Sequence, residues 1–378
     1  MDKKSKINVL SLFDGLSCGQ VALERAGIEV GNYYASEIDK YAIQITQNNY
    51  HNTVQLGDVT NWQEWSIDWS SIDLLIGGSP CQGFSFAGKQ LNFEDSRSKL
   101  FFVYVDILNH IKKYNPNVKF LLENVKMKKE YLDVISQHLG VNPVFINSAL
   151  VSAQNRQRYY WSNWKFEQPE DKNISLKDIV LENTWTDANK SFCIDANYFK
   201  GGNVEQYYNK SRRQQVFDII KEYIVPFDKT LQILDKEVEA GKVGYFRKDS
   251  QANRVYYIHN KAVTLCGDAG GGAAKMGQYL FGCITPDRVE KRQCGQRFNE
   301  GNKFYTLTAQ DKHGILIEGY IRKLTPIECE RLQTLKDNYT CGVSNTQRYK
   351  ALGNGWTVDV ISHIFKSLKE ELENNNGR

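Results

Sequence analysis

Through the first 165 residues, short apolar runs alternate with stretches of helical spacing, and this alternation most narrows the choice of fold. Ile7–Phe13, Asn32–Ala35, Ile72–Ile76 and Val118–Leu122 read as buried strands. Gln20–Ala26, Tyr41–Asn48, Leu100–Lys112 and Tyr131–Leu139 read as helices between and after them. Such an order predicts an α/β fold with a parallel sheet covered on both faces. Ligands on sheets of that kind bind beyond the carboxyl ends of the strands.

Several stretches stand at those ends. FDGLSCGQ (13–20) is a glycine-bearing turn before a helix, where backbone N–H groups are free to meet a ligand. It is not GxGxxG, and an ordinary packing turn reads the same way. Glu37 ends the second strand, roughly 20 residues on, where an acid suits ribose hydroxyls. Asp58 follows the next apolar stretch. Each acid alone reads as a solvated surface carboxylate, but in this order the set implies an adenosine-bearing ligand. GGSPCQGFS (77–85) presents Cys81 after Pro80, as a nucleophile or as an inert buried thiol. Glu123 closes VKFLLE and would share a cleft with Cys81, unless it is only a strand-end acid. On a strand, Arg156 and Arg158 of QNRQR (154–158) would share a face, for phosphate or for a base oxygen.

Beyond Asn163 the alternation dissolves into polar sequence, with a helix expected at Arg212–Tyr223 and a glycine-rich loop at 267–277. Order returns at Thr325-Pro326-Ile327-Glu328, a helix start, and a last helix is expected over Thr357–Glu373. The boundaries that follow are 1–162, 163–318 and 319–378, the last returning to the first. Eight cysteines occur singly without CxxC, so no zinc or dithiol site is expected. The net charge of +4 is compatible with nucleic acid without requiring it. No signal peptide or membrane span is apparent, so a cytoplasmic protein is expected.

Taken together these blocks resemble the DNA (cytosine-5) methyltransferase family of bacteria and phages. They are LFDGLSCG (12–19), SEIDKYA (36–42), GDV (57–59), GGSPCQGFS (77–85), NFEDSRSKLFF (92–102), LLENV (121–125), QNRQRYYW (154–161), RKLTPIECERLQ (322–333) and ALGNGWTVDVI (351–361), in the family's order. FDGLSCG and the Gly355-Trp356-Thr357 variant are closer to the animal de novo DNA methyltransferases. Ala87 stands where some members have serine.

The resemblance implies a Rossmann-like methyltransferase domain with a mixed, mostly parallel sheet, and a smaller irregular target recognition domain over 163–318. It implies that Cys81 adds to C6 of a flipped cytosine, Glu123 hydrogen-bonds or protonates N3, Arg158 contacts the base oxygen, and Arg156 supports the cysteine and a phosphate. S-adenosylmethionine would be the donor, leaving S-adenosylhomocysteine, with no metal. Its pocket would involve Phe13, Asp14, Gly15, Ser17 and Gly19, with Glu37 on the ribose, Ile38 against adenine, and Asp58 and Val59 at the adenine amine. Asn354, Gly355 and Trp356 would close it. Ser85, Lys89 and Arg97, in a lid over the base, and Thr306 would contact DNA. Double-stranded DNA is the implied partner of a monomer without membrane association, in restriction–modification, with or without a cognate endonuclease, or in phage self-protection. Methylation of RNA and an inactive DNA-binding regulator are the alternatives.

Overall fold

The computed structural model describes residues 6–79, 99–182, 184–200, 207, 210–221, 231–238, 242–246, 254–257, 278–284, 314–316 and 318–376 of the 378. These divide into two compact units: 1–180, 188–201 and 324–378, and 181–187 with 202–323.

The first unit is built on a seven-stranded sheet. Its strands are β1 (Ile7–Leu12), β2 (Val30–Ser36), β3 (Val54–Gln55), β4 (Ile72–Gly77), β5 (Lys119–Val125), β6 (Val144–Asn147) and β7 (Gln157–Ser162), in the spatial order β3-β2-β1-β4-β5-β7-β6. All pairings are parallel except those of β7, which runs against both β5 and β6. The chain leaves β1 toward β2 and β3, then re-enters on the other side of β1 with β4. The carboxyl ends of β1 and β4 therefore form the switch point, where such sheets open a crevice.

Both faces of the sheet are covered. Leu10, Leu12, Leu75, Phe120 and Leu122 pack in one buried cluster with Phe101, Tyr104 and Leu108 of α3 (Lys99–Tyr114) and with Ile135 and Leu139 of α4 (Lys129–Leu139). The alternate residues Val9, Leu74, Ile76 and Leu121 are equally buried, as period-two strands between two layers require. α1 (Cys18–Ala26) packs against the last helix, which spans Val358–Asn376. α2 (Lys40–Asn49) is capped by Asp39, whose side chain accepts from Tyr41 N at 2.9 Å.

Residues 324–378 belong to this unit, whereas 319–323 fall in the second. α5 (Pro326–Leu332) begins with the expected capping box: Glu328 N donates to Thr325 Oγ1 at 3.2 Å, and Thr325 N to the Glu328 carboxylate at 2.6 Å. α6 (Asn345–Asn354) and α7 (Val358–Asn376) follow. Residues 163–180 and 188–201, placed by the sequence reading in the second domain, also belong here. Trp164 Nε1 donates to Ile364 O at 3.1 Å, and Ser191 N to Ala153 O at 2.7 Å. These are long-range bonds that polar composition does not announce.

The second unit contains a sheet of β8 (Thr184–Trp185), β9 (Gln215–Lys221) and β15 (Glu318–Lys323), ordered β15-β9-β8. A five-stranded sheet comprises β10 (Leu231–Val238), β11 (Lys242–Phe246), β12 (Arg254–Tyr257), β13 (Gln278–Ile284) and β14 (Gly314–Leu316). The helix expected over 212–223 is instead β9. Its apolar residues fit either period, and the antiparallel partner β15, about a hundred residues away, supplies the hydrogen bonds that decide it. The glycine-rich stretch 267–277 lies outside the described residues. Among those described, no helix is long and apolar enough to cross a membrane.

Candidate active site

The turn after β1 is held in an uncommon shape. Phe13, Gly15 and Ser17 all have left-handed backbones, with φ of 57°, 60° and 58°. Only glycine adopts this freely, so the neighbours must hold the other two. Asp14 does much of this. Its N donates to Ser36 O at 3.1 Å, Tyr33 Oη donates to its Oδ1 at 2.7 Å, and Ser17 Oγ donates to its Oδ2. Burial pushes the Asp14 carboxyl up to about 6, against the lowering effect of hydrogen bonds from Ser11, Ser17 and Tyr33. Gly19 serves packing: a Cβ there would lie 2.5 Å from Ile76 Cδ1 and 2.8 Å from Tyr33 Oη.

Glu37 joins this turn to the next strand end. Gly15 N donates to its Oε2, and Ile38 N and Asp39 N to its Oε1, each at 2.8 Å. The Ile38 side chain is left 75% exposed. Asp58 Oδ1 accepts from Thr60 N and Thr60 Oγ1, both at 2.8 Å.

A cavity of about 420 Å³ opens at the switch point. One wall carries Phe13, Gly15, Glu37, Ile38, Asp58 and Val59; Gly78, Ser79, Glu123, Arg156 and Arg158 also line it, with Asn354 of α6. The structure thus brings most of the donor-binding expectations and three of the four catalytic ones to one space. Asp14, Ser17, Gly19, Gly355 and Trp356 are not in its lining. Cys81, Ser85, Lys89, Arg97 and Thr306 lie outside the described residues. Sequence reasoning missed Lys350 and Gln347, which line the cavity from the helix turns preceding Asn354. Their helical spacing from Asn354 was the available signal. Lys350 Nζ also pairs with Asp39 Oδ2 at 2.6 Å. A larger open groove, about 1240 Å³, runs between 163–172 and α7 and holds none of the expected residues.

Glu123 lies within β5 rather than after it, because pairing with β7 extends the strand to Val125. In that register Glu123 opposes Tyr160 and Val125 opposes Arg158, so Arg158 reaches Glu123 diagonally. Arg158 Nε stands 2.7 Å from Glu123 Oε1, with both side chains largely buried. Trp356 Nε1 donates to the other oxygen, Oε2, at 3.2 Å. Beside them Asn124 Nδ2 donates to Ser79 Oγ at 3.2 Å, linking β5 to the chain two residues before Cys81.

Arg156 is placed differently from Arg158. It precedes β7 and turns inward, only 3% exposed. Its guanidinium donates to Gly355 O at 2.8 Å, Ile194 O at 3.2 Å and Gly353 O at 3.3 Å. It is committed to main-chain carbonyls that hold the C-terminal segment against the sheet.

Residues 7–370 match the family model described as C-5 cytosine-specific DNA methylase. The chain belongs to that family. This methylase is 28% identical to the orphan methyltransferase M.SPRI of Bacillus phage SPR, over 96% of its own length and 97% of that protein's. It is 27% identical to the type II methyltransferase M.HhaI of Haemophilus parahaemolyticus, over 97% and 95% of the two chains. Among solved structures, the methyltransferase EhMeth of Entamoeba histolytica superposes with a TM-score of 0.54 at 15% identity, covering 98% of this chain and 99% of that one. That likeness is one of fold. As a member of its family, the methylase is an enzyme of the DNA (cytosine-5-)-methyltransferase class.

Proposed function

We propose that this methylase takes a cytosine out of duplex DNA and methylates it at C5 through a covalent bond between Cys81 and C6. The observation that carries the reading is the Glu123–Arg158 pair lining the same cavity as Glu37, Ile38 and Asp58. A base and an adenosine-bearing donor have adjoining places there.

The residues present fit S-adenosylmethionine. Glu37 offers a carboxylate already fixed by three backbone donors, Ile38 an exposed apolar surface for a purine, and Asp58 a carboxylate beside it. Bound there, the donor would supply a methyl group activated on a sulfonium.

Cytosine C5 is a weak nucleophile. Addition of the Cys81 thiolate to C6, with a proton reaching N3 from Glu123, turns the ring into an enamine whose C5 attacks the methyl. Loss of the C5 proton then lets the C6–S bond break and restores the thiolate. Once the proton bound for N3 has left, Arg158 pairs with the Glu123 carboxylate, and its guanidinium is proposed to contact the pyrimidine oxygen. A cytosine within a helix is out of reach of such a pocket, so the base is flipped. The segment 163–318 is proposed to read the site, and the role proposed for the enzyme is host restriction–modification or phage self-protection.

The test is trapping. Duplex DNA containing 5-fluorocytosine has no C5 proton to lose, so it should remain joined to the protein through Cys81 in the presence of donor. Protein carrying Cys81→Ser should form no adduct. Bisulfite sequencing of DNA from cells expressing the chain identifies the site to place in the duplex. Folded wild-type protein that leaves all DNA unmodified and untrapped would refute the reading.

A further inference from the structure

Glu123 is held by an ion pair on one oxygen and a hydrogen bond on the other. The Arg158 guanidinium pairs with Oε1, Nε lying 2.7 Å away, and the indole Nε1–H of Trp356 donates to Oε2 at 3.2 Å. An indole nitrogen only donates, so this contact has one polarity. Trp356 is half-buried and does not line the cavity, although Gly353 and Asn354 just before it do.

The position of the indole is set from several sides. Cys18 Sγ donates to Trp356 O at 3.4 Å. Arg156 and Gln333 donate to Gly355 O at 2.8 and 3.2 Å, and Thr357 Oγ1 donates to Gln333 Oε1 at 2.9 Å. Gly78, just past β4, leaves room for the contact: a Cβ there would stand 3.0 Å from both Glu123 Oε2 and Trp356 Nε1.

We propose that Trp356 is a positioning residue for methyl transfer, acting through Glu123: its indole N–H fixes the plane of the carboxyl that meets the pyrimidine N3. The inference rests on the function proposed above and deepens it. One donor on one oxygen leaves a glutamate carboxyl free to rotate about its last bond. A cation beside one oxygen and a directional donor on the other remove that freedom before the base arrives. As N3 takes its proton, the carboxylate left behind meets a guanidinium and an indole N–H already in place, a gain specific to the transition state. The sequence reading put Trp356 on the donor's pocket, a role that makes a different prediction.

The experiment separates the two. Thiolate addition and a proton at N3 let C5 take up a solvent proton, and elimination then releases the original C5 hydrogen, with no methyl donor needed. Unmethylated plasmid DNA tritiated at cytosine C5 therefore loses tritium to water on incubation with donor-free enzyme. Trp356→Phe keeps a ring in place and removes the N–H. We expect tritium release and kcat each to fall about tenfold or more, as for loss of a hydrogen bond to a charged group. KM for S-adenosylmethionine should change by less than about threefold. Wild-type tritium release by folded Trp356→Phe protein, or a defect confined to the donor KM, overturns the inference. If that variant does not fold, Gly78→Ala takes its place: it keeps both groups and crowds them apart, and an unchanged release rate equally overturns it. Failure of the wild-type protein both to release tritium and to methylate would instead count against the proposed function.

Discussion

Arg158 and Glu123 meet diagonally across two antiparallel strands, with Nε 2.7 Å from Oε1 and both side chains largely buried. A buried pair of this kind is costly to break from either side, since the remaining charge loses its partner. Arg158→Ala should lower stability by about 3 kcal/mol and reduce kcat by at least about a hundredfold. Glu123→Gln should keep the fold and reduce kcat at least as much, with donor binding retained. Urea unfolding, single-turnover methylation and donor titration check the three quantities. Glu123→Gln protein with wild-type turnover would remove the acid from the mechanism.

Asp14 gives a pH signature. Its carboxyl is raised to about 6 by burial, above the ordinary 3.8, so the folded chain binds this proton more tightly than the unfolded one. Stability from this group is therefore greatest below the ordinary value and is lost as pH rises through about 6. Asp14→Asn removes the penalty of a buried charge, at most about 3 kcal/mol. The melting temperature of Asp14→Asn relative to wild type should be higher at about pH 7.5 than at about pH 4.5. A difference that does not vary with pH would show that Asp14 does not titrate in this window.

Arg156 is expected to be structural in its first effect and kinetic in its second. Arg156→Lys keeps a charge but cannot span the carbonyls of Gly353, Gly355 and Ile194 together. It should cost about 2–4 kcal/mol of stability. It should also raise the donor KM, because Asn354 lies between two of those carbonyls in sequence and lines the cavity. Denaturation and steady-state kinetics on the same preparation test both; a variant with wild-type stability would mean these carbonyls do not depend on the guanidinium.

Gly19 tests the packing beneath the donor turn. Gly19→Ala would drive a methyl into Ile76 Cδ1 at 2.5 Å and Tyr33 Oη at 2.8 Å, at a cost of about 1–3 kcal/mol. Adding Ile76→Val removes one of these obstacles, so the double variant should recover part of the loss. A thermal-melting double-mutant cycle with purely additive effects would contradict the contact.

Much of the first unit was legible locally. β1, β4 and α3 announce themselves because their apolar spacing matches layers buried on known faces, and Thr325 and Glu328 announce a helix start because a capping box is a four-residue device. Glu37, Asp58 and Glu123 were legible as a set because strand–helix order places strand ends together. The expectation over 212–223 failed where short apolar runs carry no unique period and a distant strand decides.

What the sequence by itself determined is the order of strands and helices, the glycine turn, and the family to which its blocks belong, since these rest on residues close along the chain. Only the tertiary structure decided that Arg156 turns inward to main-chain carbonyls while Arg158 reaches Glu123, and that Trp356, more than two hundred residues on, shares that carboxyl. The physical reason is that hydrogen-bond direction and burial depend on which surfaces meet after folding, and neighbouring letters in QNRQR hold no record of it.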